Sequence, residues 1–137
     1  MKLLVDELPI GRATFRNGDA DLANAYLILN NPSVGDLYGI ACFHCHQSVE
    51  KYLKGFLIIN GGEPPRIHDL KLLLDNCLKY DNRLSTLSED CRDLTPYYIE
   101  TRYEPSSPGD FDEDDARLAY TKAERVITTI KELLAVR

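Results

Sequence analysis

The sequence has no apolar run approaching the ~20 residues of a membrane span. It has no sustained alternation of apolar and polar residues and no Asn-Gly turn between alternating segments. A spanning helix and a sheet-based fold are thereby set aside. Positive charge is also scarce. Sixteen Lys and Arg stand against 22 Asp and Glu, a net charge of −6. General binding to DNA by counterion release requires the opposite balance, which leaves only a local basic patch for nucleic acid. The deficit is uneven, with 6 basic and 7 acidic residues in 1–68 and 10 and 15 in 69–137. No internal repeat, low-complexity tract or linker divides the chain.

What is present fits one domain. A chain of 137 residues hides about two-thirds of its unfolded surface and is short for two cores. The 44 % hydrophobic and 28 % charged residues are ordinary for a soluble protein. Met1-Lys2-Leu3-Leu4-Val5 meets acids at Asp6 and Glu7, which interrupts the apolar segment a signal peptide needs. The expectation is a cytoplasmic protein.

The central stretch is Tyr38 to Asn60. At about 100° per residue, Tyr38, Cys42, Cys45, Val49, Tyr52, Leu53, Phe56 and Leu57 gather on one side of a long helix. Phe43, Gln47, Glu50, Lys51 and Lys54 form a second stripe within about a third of the circumference. The stripe reads either as a solvated face with an ordinary Glu50–Lys54 pair or as a site. Ile40 and Ile58 flank it and add apolar surface beyond what one core needs.

Cys42 and Cys45 form a C-x-x-C beside His44 and His46. A redox pair belongs at a helix N-terminus, whereas this one lies mid-helix on the apolar stripe. A structural zinc site wants a second close pair, which Cys77 and Cys91 do not make. Buried reduced thiols are expected, with no metal and no cofactor.

Around this helix, residues 1–12, with Pro9 and Gly11, read as an N-terminal arm, and 13–137 as a single bundle domain. Phe15, Leu22, Ala25, Tyr26 and Leu29 keep helical spacing, with Gly18 a weak point of about 1 kcal/mol relative to Ala. Asn30-Asn31-Pro32 ends that helix, and Ser33 and Asp36 are candidate caps for the next. Gly61-Gly62 and Pro64-Pro65 end the central helix. Asp69 caps a short helix to about Lys79 bearing Leu70, Leu73, Leu74 and Cys77. A fourth stretch from Leu84 to Tyr103 is kinked or divided by Pro96. Glu104–Gly109 is a loop, and a last amphipathic helix starts near Asp112. Five acids between Asp110 and Asp115 match the dipole at that helix start; the alternative is a docking patch for a basic partner. The fold class is all-α: an antiparallel up-and-down bundle of four long helices plus a short one.

Four segments in this order resemble the HEPN family of small helical, nucleotide-binding-type domains. They are Asp19-Ala-Asp-Leu-Ala-Asn-Ala, Phe43-His-Cys-His-Gln-Ser-Val-Glu-Lys-Tyr-Leu-Lys-Gly, Pro65-Arg-Ile-His-Asp-Leu and Tyr97-Tyr-Ile-Glu-Thr-Arg-Tyr-Glu-Pro. The resemblance implies a helical bundle that pairs into a homodimer, commonly encoded beside a minimal nucleotidyltransferase in toxin–antitoxin modules. Many relatives cleave RNA without metal, using an arginine followed after four to six residues by a histidine. Here Arg102 is followed by no histidine through Gly109, and His44, His46 and His68 all lie upstream.

Three functions follow from this combination. The first is a homodimeric binding module of a nucleotidyltransferase. It would use Gln47, Glu50, Lys51, Lys54, His68, Asp69, Arg102 and Tyr103: Lys51, Lys54 and Arg102 to meet phosphate, and Gln47 and Tyr103 to contact base or sugar. The second is a metal-independent ribonuclease with His68 and Arg102 as catalytic candidates. The third is a purely structural partner subunit, in which the same polar residues form an interhelical salt-bridge network.

Overall fold

The computed structural model describes residues 7–31, 37–98 and 111–136. Among these, every regular element is helical, as the periodicity requires. Helix α1 spans Glu7–Leu29, α2 Tyr38–Ile59, α3 Leu70–Leu78, α4 Ser88–Leu94 and α5 Glu113–Ala135. A 3₁₀ segment, Asn82–Leu87, precedes α4. Among the described residues three helices are long. The fourth stretch is described only as far as Tyr98, and to that point it is the 3₁₀ segment, the seven-residue α4, a turn at Thr95-Pro96 and helical backbone again at Tyr97 and Tyr98. None of the helices among the described residues is long and apolar enough to cross a membrane.

The helix ends follow local chemistry. Asp69 Oδ1 accepts the Leu72 N–H at 3.1 Å and caps α3. Asp112 and Asp115 form a reciprocal capping box at α5, with bonds of 2.8 and 3.0 Å, so the acid run opens that helix. At the end of α2, Gly61 takes φ 82°, the left-handed step that favours glycine. The residue preceding α2 is Leu37, with no side-chain cap bond; Ser33 and Asp36 lie outside the described residues. Helix α1 begins at Glu7, so residues 7–12 of the expected arm are helical, and residues 1–6 lie outside the described residues. Pro9 falls in its first turn, where backbone N–H groups have no intrahelical partner and proline is tolerated.

Helix α2 is the axis of the bundle. It packs against α1, α3, α4 and α5, and its buried residues lie well beyond one narrow stripe. Cys42, Cys45, Val49, Leu53 and Phe56 are fully buried, with Leu70, Leu73 and Leu74 of α3, Leu84, Cys91 and Leu94, and Ala116, Ala123, Val126 and Ile130 of α5. The alanines let α5 approach closely. All four cysteines are free and lie in this core. Burial pushes the Cys42 and Cys91 thiols up to about 12, which suits inert packing residues rather than nucleophiles. No group of three His, Cys, Asp or Glu able to hold a metal occurs among the described residues.

The α1–α2 seam is the most extensive contact between described elements. Tyr52 packs tilted against Phe15, ring centroids 4.8 Å apart, and donates to Asp19 at 2.5 Å. A Cβ at Gly18 would stand 2.8 Å from Tyr52 Cδ2 and 3.1 Å from the Ser48 carbonyl oxygen. The glycine that looks like a weak point in isolation is thus required by the packing. Gly18→Ala should lower the melting temperature, although alanine gains about 1 kcal/mol of helix propensity, because overpacking costs about 1–3 kcal/mol. Thermal unfolding followed by circular dichroism tests this; an unchanged or higher midpoint would show that the helices separate without strain.

Candidate functional site

The polar stripe of α2 is divided between two clusters. Lys51 turns toward α1 and pairs with Asp21, whose other carboxylate oxygen meets His44 Nδ1 at 3.0 Å. Burial alone would raise the Asp21 pKa, but hydrogen bonds from His44 and Lys51 and their charges outweigh it and hold the carboxyl below its ordinary value. Neither Asp21 nor His44 stands out on the stripe. A signal for Asp21 exists, since it shares the i, i+4, i+8 line of Ala25 and Leu29 and so places a carboxylate among core positions.

The second cluster joins Glu50, Lys54 and His68, and Gln47 reaches it through His46. Glu50 Oε2 accepts from Lys54 Nζ at 3.2 Å, and Glu50 Oε1 lies 2.7 Å from His68 Nδ1. The Glu50 side chain is 8 % exposed and the His68 side chain 47 %. A buried carboxylate on the axial helix thereby holds a half-exposed imidazole on the segment before α3.

His46 fixes that segment from beneath. It is fully buried, with Nε2 2.8 Å from the His68 carbonyl oxygen and Nδ1 3.1 Å from the end of the Gln47 amide. A carbonyl only accepts, so Nε2 carries the hydrogen. Burial lowers the His46 pKa, against smaller opposing effects from the His68 carbonyl and Glu50. The ring is therefore neutral and Nδ1 is an acceptor; Gln47 Oε1 lies 3.1 Å from it, so the amide bonds there only with its oxygen and nitrogen exchanged. His46, which the sequence shows only as a neighbour of the C-x-x-C, is the anchor of the His68 backbone.

Tyr98 completes the arrangement. Its ring lies 3.9 Å from that of His68 at an interplanar angle of 25°, with His46 at 5.4 Å and Phe43 at 6.0 Å. Beside this stack is a cavity of about 360 Å³ lined by Ile67, His68, Asp69, Leu72, Thr95 and Tyr98. Thr95 Oγ1 accepts from Leu70 N at 3.1 Å and donates to the Cys91 carbonyl at 2.8 Å, which ties the end of α4 to the start of α3 and fixes the cavity's far wall. Asp69 serves as the α3 cap and rim of the cavity rather than joining the stripe. Arg102 and Tyr103 lie outside the described residues.

The His46 bond sets a pH dependence. A folded pKa below the ordinary 6.5 means that the unfolded chain binds more protons, so stability rises with pH across this window. The His46 contribution is complete above about pH 6.5 and is lost as pH falls toward the folded pKa. The wild type should therefore melt lower at pH 5 than at pH 7. In His46→Gln, which keeps a donor but does not titrate, the difference should shrink. Identical pH dependence in both proteins would refute the neutral buried ring.

Residues 12–133 match the HEPN domain family. The TT1696 protein of Thermus thermophilus, known from a crystal structure, superposes with a TM-score of 0.79 at 25 % identity, over 89 % of this chain and 96 % of that one. No curated protein matches the chain. With its helical architecture and a family match spanning nearly its whole length, the chain belongs to the HEPN domain family.

Proposed function

We propose that this chain is a homodimeric HEPN binding module that associates with a minimal nucleotidyltransferase, as in toxin–antitoxin pairs, and receives a nucleotide or RNA end beside His68. The observation that carries the reading is the half-exposed His68 ring at the mouth of the 360 Å³ cavity. Glu50 holds it from the side, His46 from below and Tyr98 across its face. Cavities of this size suit small ligands, particularly when few polar groups line an otherwise apolar wall. Dimerisation is supported by Ile40, which remains 39 % exposed on the axial helix, next to a polar stripe whose charges are paired within the subunit.

One observation favours a second reading, that of a metal-independent ribonuclease. The Glu50–His68 contact of 2.7 Å is the geometry in which a carboxylate fixes an imidazole tautomer and readies the other ring nitrogen as a base. In that role His68 would take the 2′-hydroxyl proton, and Arg102 would stabilise charge on the phosphate.

Calorimetric titration with nucleotides and short RNA, beside light scattering, tests the module. Heat of binding in the wild type, its loss in His68→Ala and a molar mass twice that of the chain are expected. Absence of heat with every ligand would defeat nucleotide binding, and a monomer at micromolar concentration would defeat the dimer. Metal-free RNA cleavage abolished in both His68→Ala and Arg102→Ala would establish the enzyme instead.

A further inference from the structure

Resting on the binding-module reading, the geometry points to recognition of the base and not of the phosphate: the cavity beside His68 takes a flat nitrogen heterocycle bearing N–H donors, and Lys51 and Lys54 contribute no phosphate contact.

Three observations converge on this. The first is charge. The stripe's two lysines are held by carboxylates of their own subunit, Lys51 by Asp21 and Lys54 by Glu50. Drawing either onto a phosphate would leave a mostly buried carboxylate with only its histidine partner. The second is the N-terminus of α3, which would otherwise suit an anion. Asp69 already places its own carboxylate there, on the Leu72 N–H, so a phosphate at this cavity would meet a negative charge. The third is the cavity's chemistry. Ile67 and Leu72 supply apolar wall, His68 and Tyr98 supply rings, and Thr95 Oγ1 is engaged with Leu70 and Cys91.

What remains for a ligand is an acceptor. Nδ1 of His68 lies against the Glu50 carboxylate and so carries a hydrogen; Nε2 has no hydrogen-bond partner among the described residues, and in the form of the ring with a single hydrogen it is an acceptor. Asp69 on the rim is likewise an acceptor-only group. A nucleobase answers both needs: a π-face to stack against rings and ring or exocyclic N–H groups to donate. A phosphate or sulfate answers neither.

The test uses the full chain and calorimetry with guanosine, adenosine and cytidine, their 5′-monophosphates, and a trinucleotide RNA, at 50 and 200 mM salt. At least one nucleoside should bind. Its monophosphate should match it within about twofold, and the affinity should change by less than about twofold between the two salts, whereas two phosphate contacts would cost roughly sevenfold over that range. His68→Ala should weaken nucleoside binding about tenfold. Leu72→Ser, at a side chain 52 % exposed and therefore harmless to folding, should weaken it severalfold. A monophosphate or RNA that binds more than about tenfold tighter than the nucleoside, with a steep salt dependence, overturns base recognition and leaves the binding module standing. So does nucleoside affinity unchanged in both variants. Silence from every ligand removes the binding module, and base recognition with it.

Discussion

The structure depends on one constraint: α2 is buried over most of its circumference, so every polar group it carries must find a partner among the elements wrapped round it. His46 shows how strongly that constraint acts. A fully buried imidazole has one donor in its neutral form, and that donor goes to the His68 carbonyl. The bond crosses from the axial helix to the irregular segment leading into α3, and it fixes the height at which that segment passes over α2. Once the His68 backbone is set, its side chain falls against Glu50 on one side and Tyr98 on the other. The cavity is a by-product of the same placement, closed at the far wall by Thr95.

The charges obey the same rule. Asp21 on α1 and Glu50 on α2 are both mostly buried, and each is met by one lysine and one histidine of α2 or the following segment. Such pairs add little net stability over apolar packing. Removing one partner, however, leaves a mostly buried carboxylate with a single remaining partner and is destabilising. Their effect is therefore on register. Lys51 can reach Asp21 only if α1 crosses α2 at the height that also lays Gly18 against Tyr52. Lys54 and His68 can share Glu50 only if the segment before α3 returns over the same turn of α2.

How much of this was legible in the sequence divides along the range of the interactions. Helix ends set by a residue's own neighbours were readable: Asp69 caps α3, Asp112 caps α5 and Gly61 ends α2, because each acts within three or four residues. The apolar stripe of α2 was readable for the same reason. The start of α1 was not, since Pro9 reads alike in an arm and in a first helical turn. The stripe of Phe43, Gln47, Glu50, Lys51 and Lys54 reads from its spacing as one surface of a helix. Its division was hidden, because Lys51 answers to a carboxylate 30 residues away whose position depends on the α1–α2 crossing. Glu50 and His68 could be grouped together, but their contact depends on a buried bond from His46, which sequence alone presents as a neighbour of the C-x-x-C.

Membership of the HEPN domain family gives this chain its fold and leaves its chemistry to be argued from its own residues. The Arg-x4–6-His pattern of RNA-cleaving relatives is missing, and the imidazole best placed to act, His68, lies before α3. Its bond to Glu50 serves a base and a ligand-binding ring equally well, so the pair cannot separate the two roles. The opposing charge can. Phosphodiester cleavage builds negative charge on the phosphate, and a site that accelerates it needs preorganised donors or cations aimed at that charge. Around His68 the described lysines already serve Asp21 and Glu50, and the carboxylate of Asp69 occupies the helix terminus that could have helped. Cleavage would have to draw its positive charge from outside this set, against two nearby acids. Binding a base makes no such demand, since it needs only a stacked ring, an apolar wall and an open acceptor.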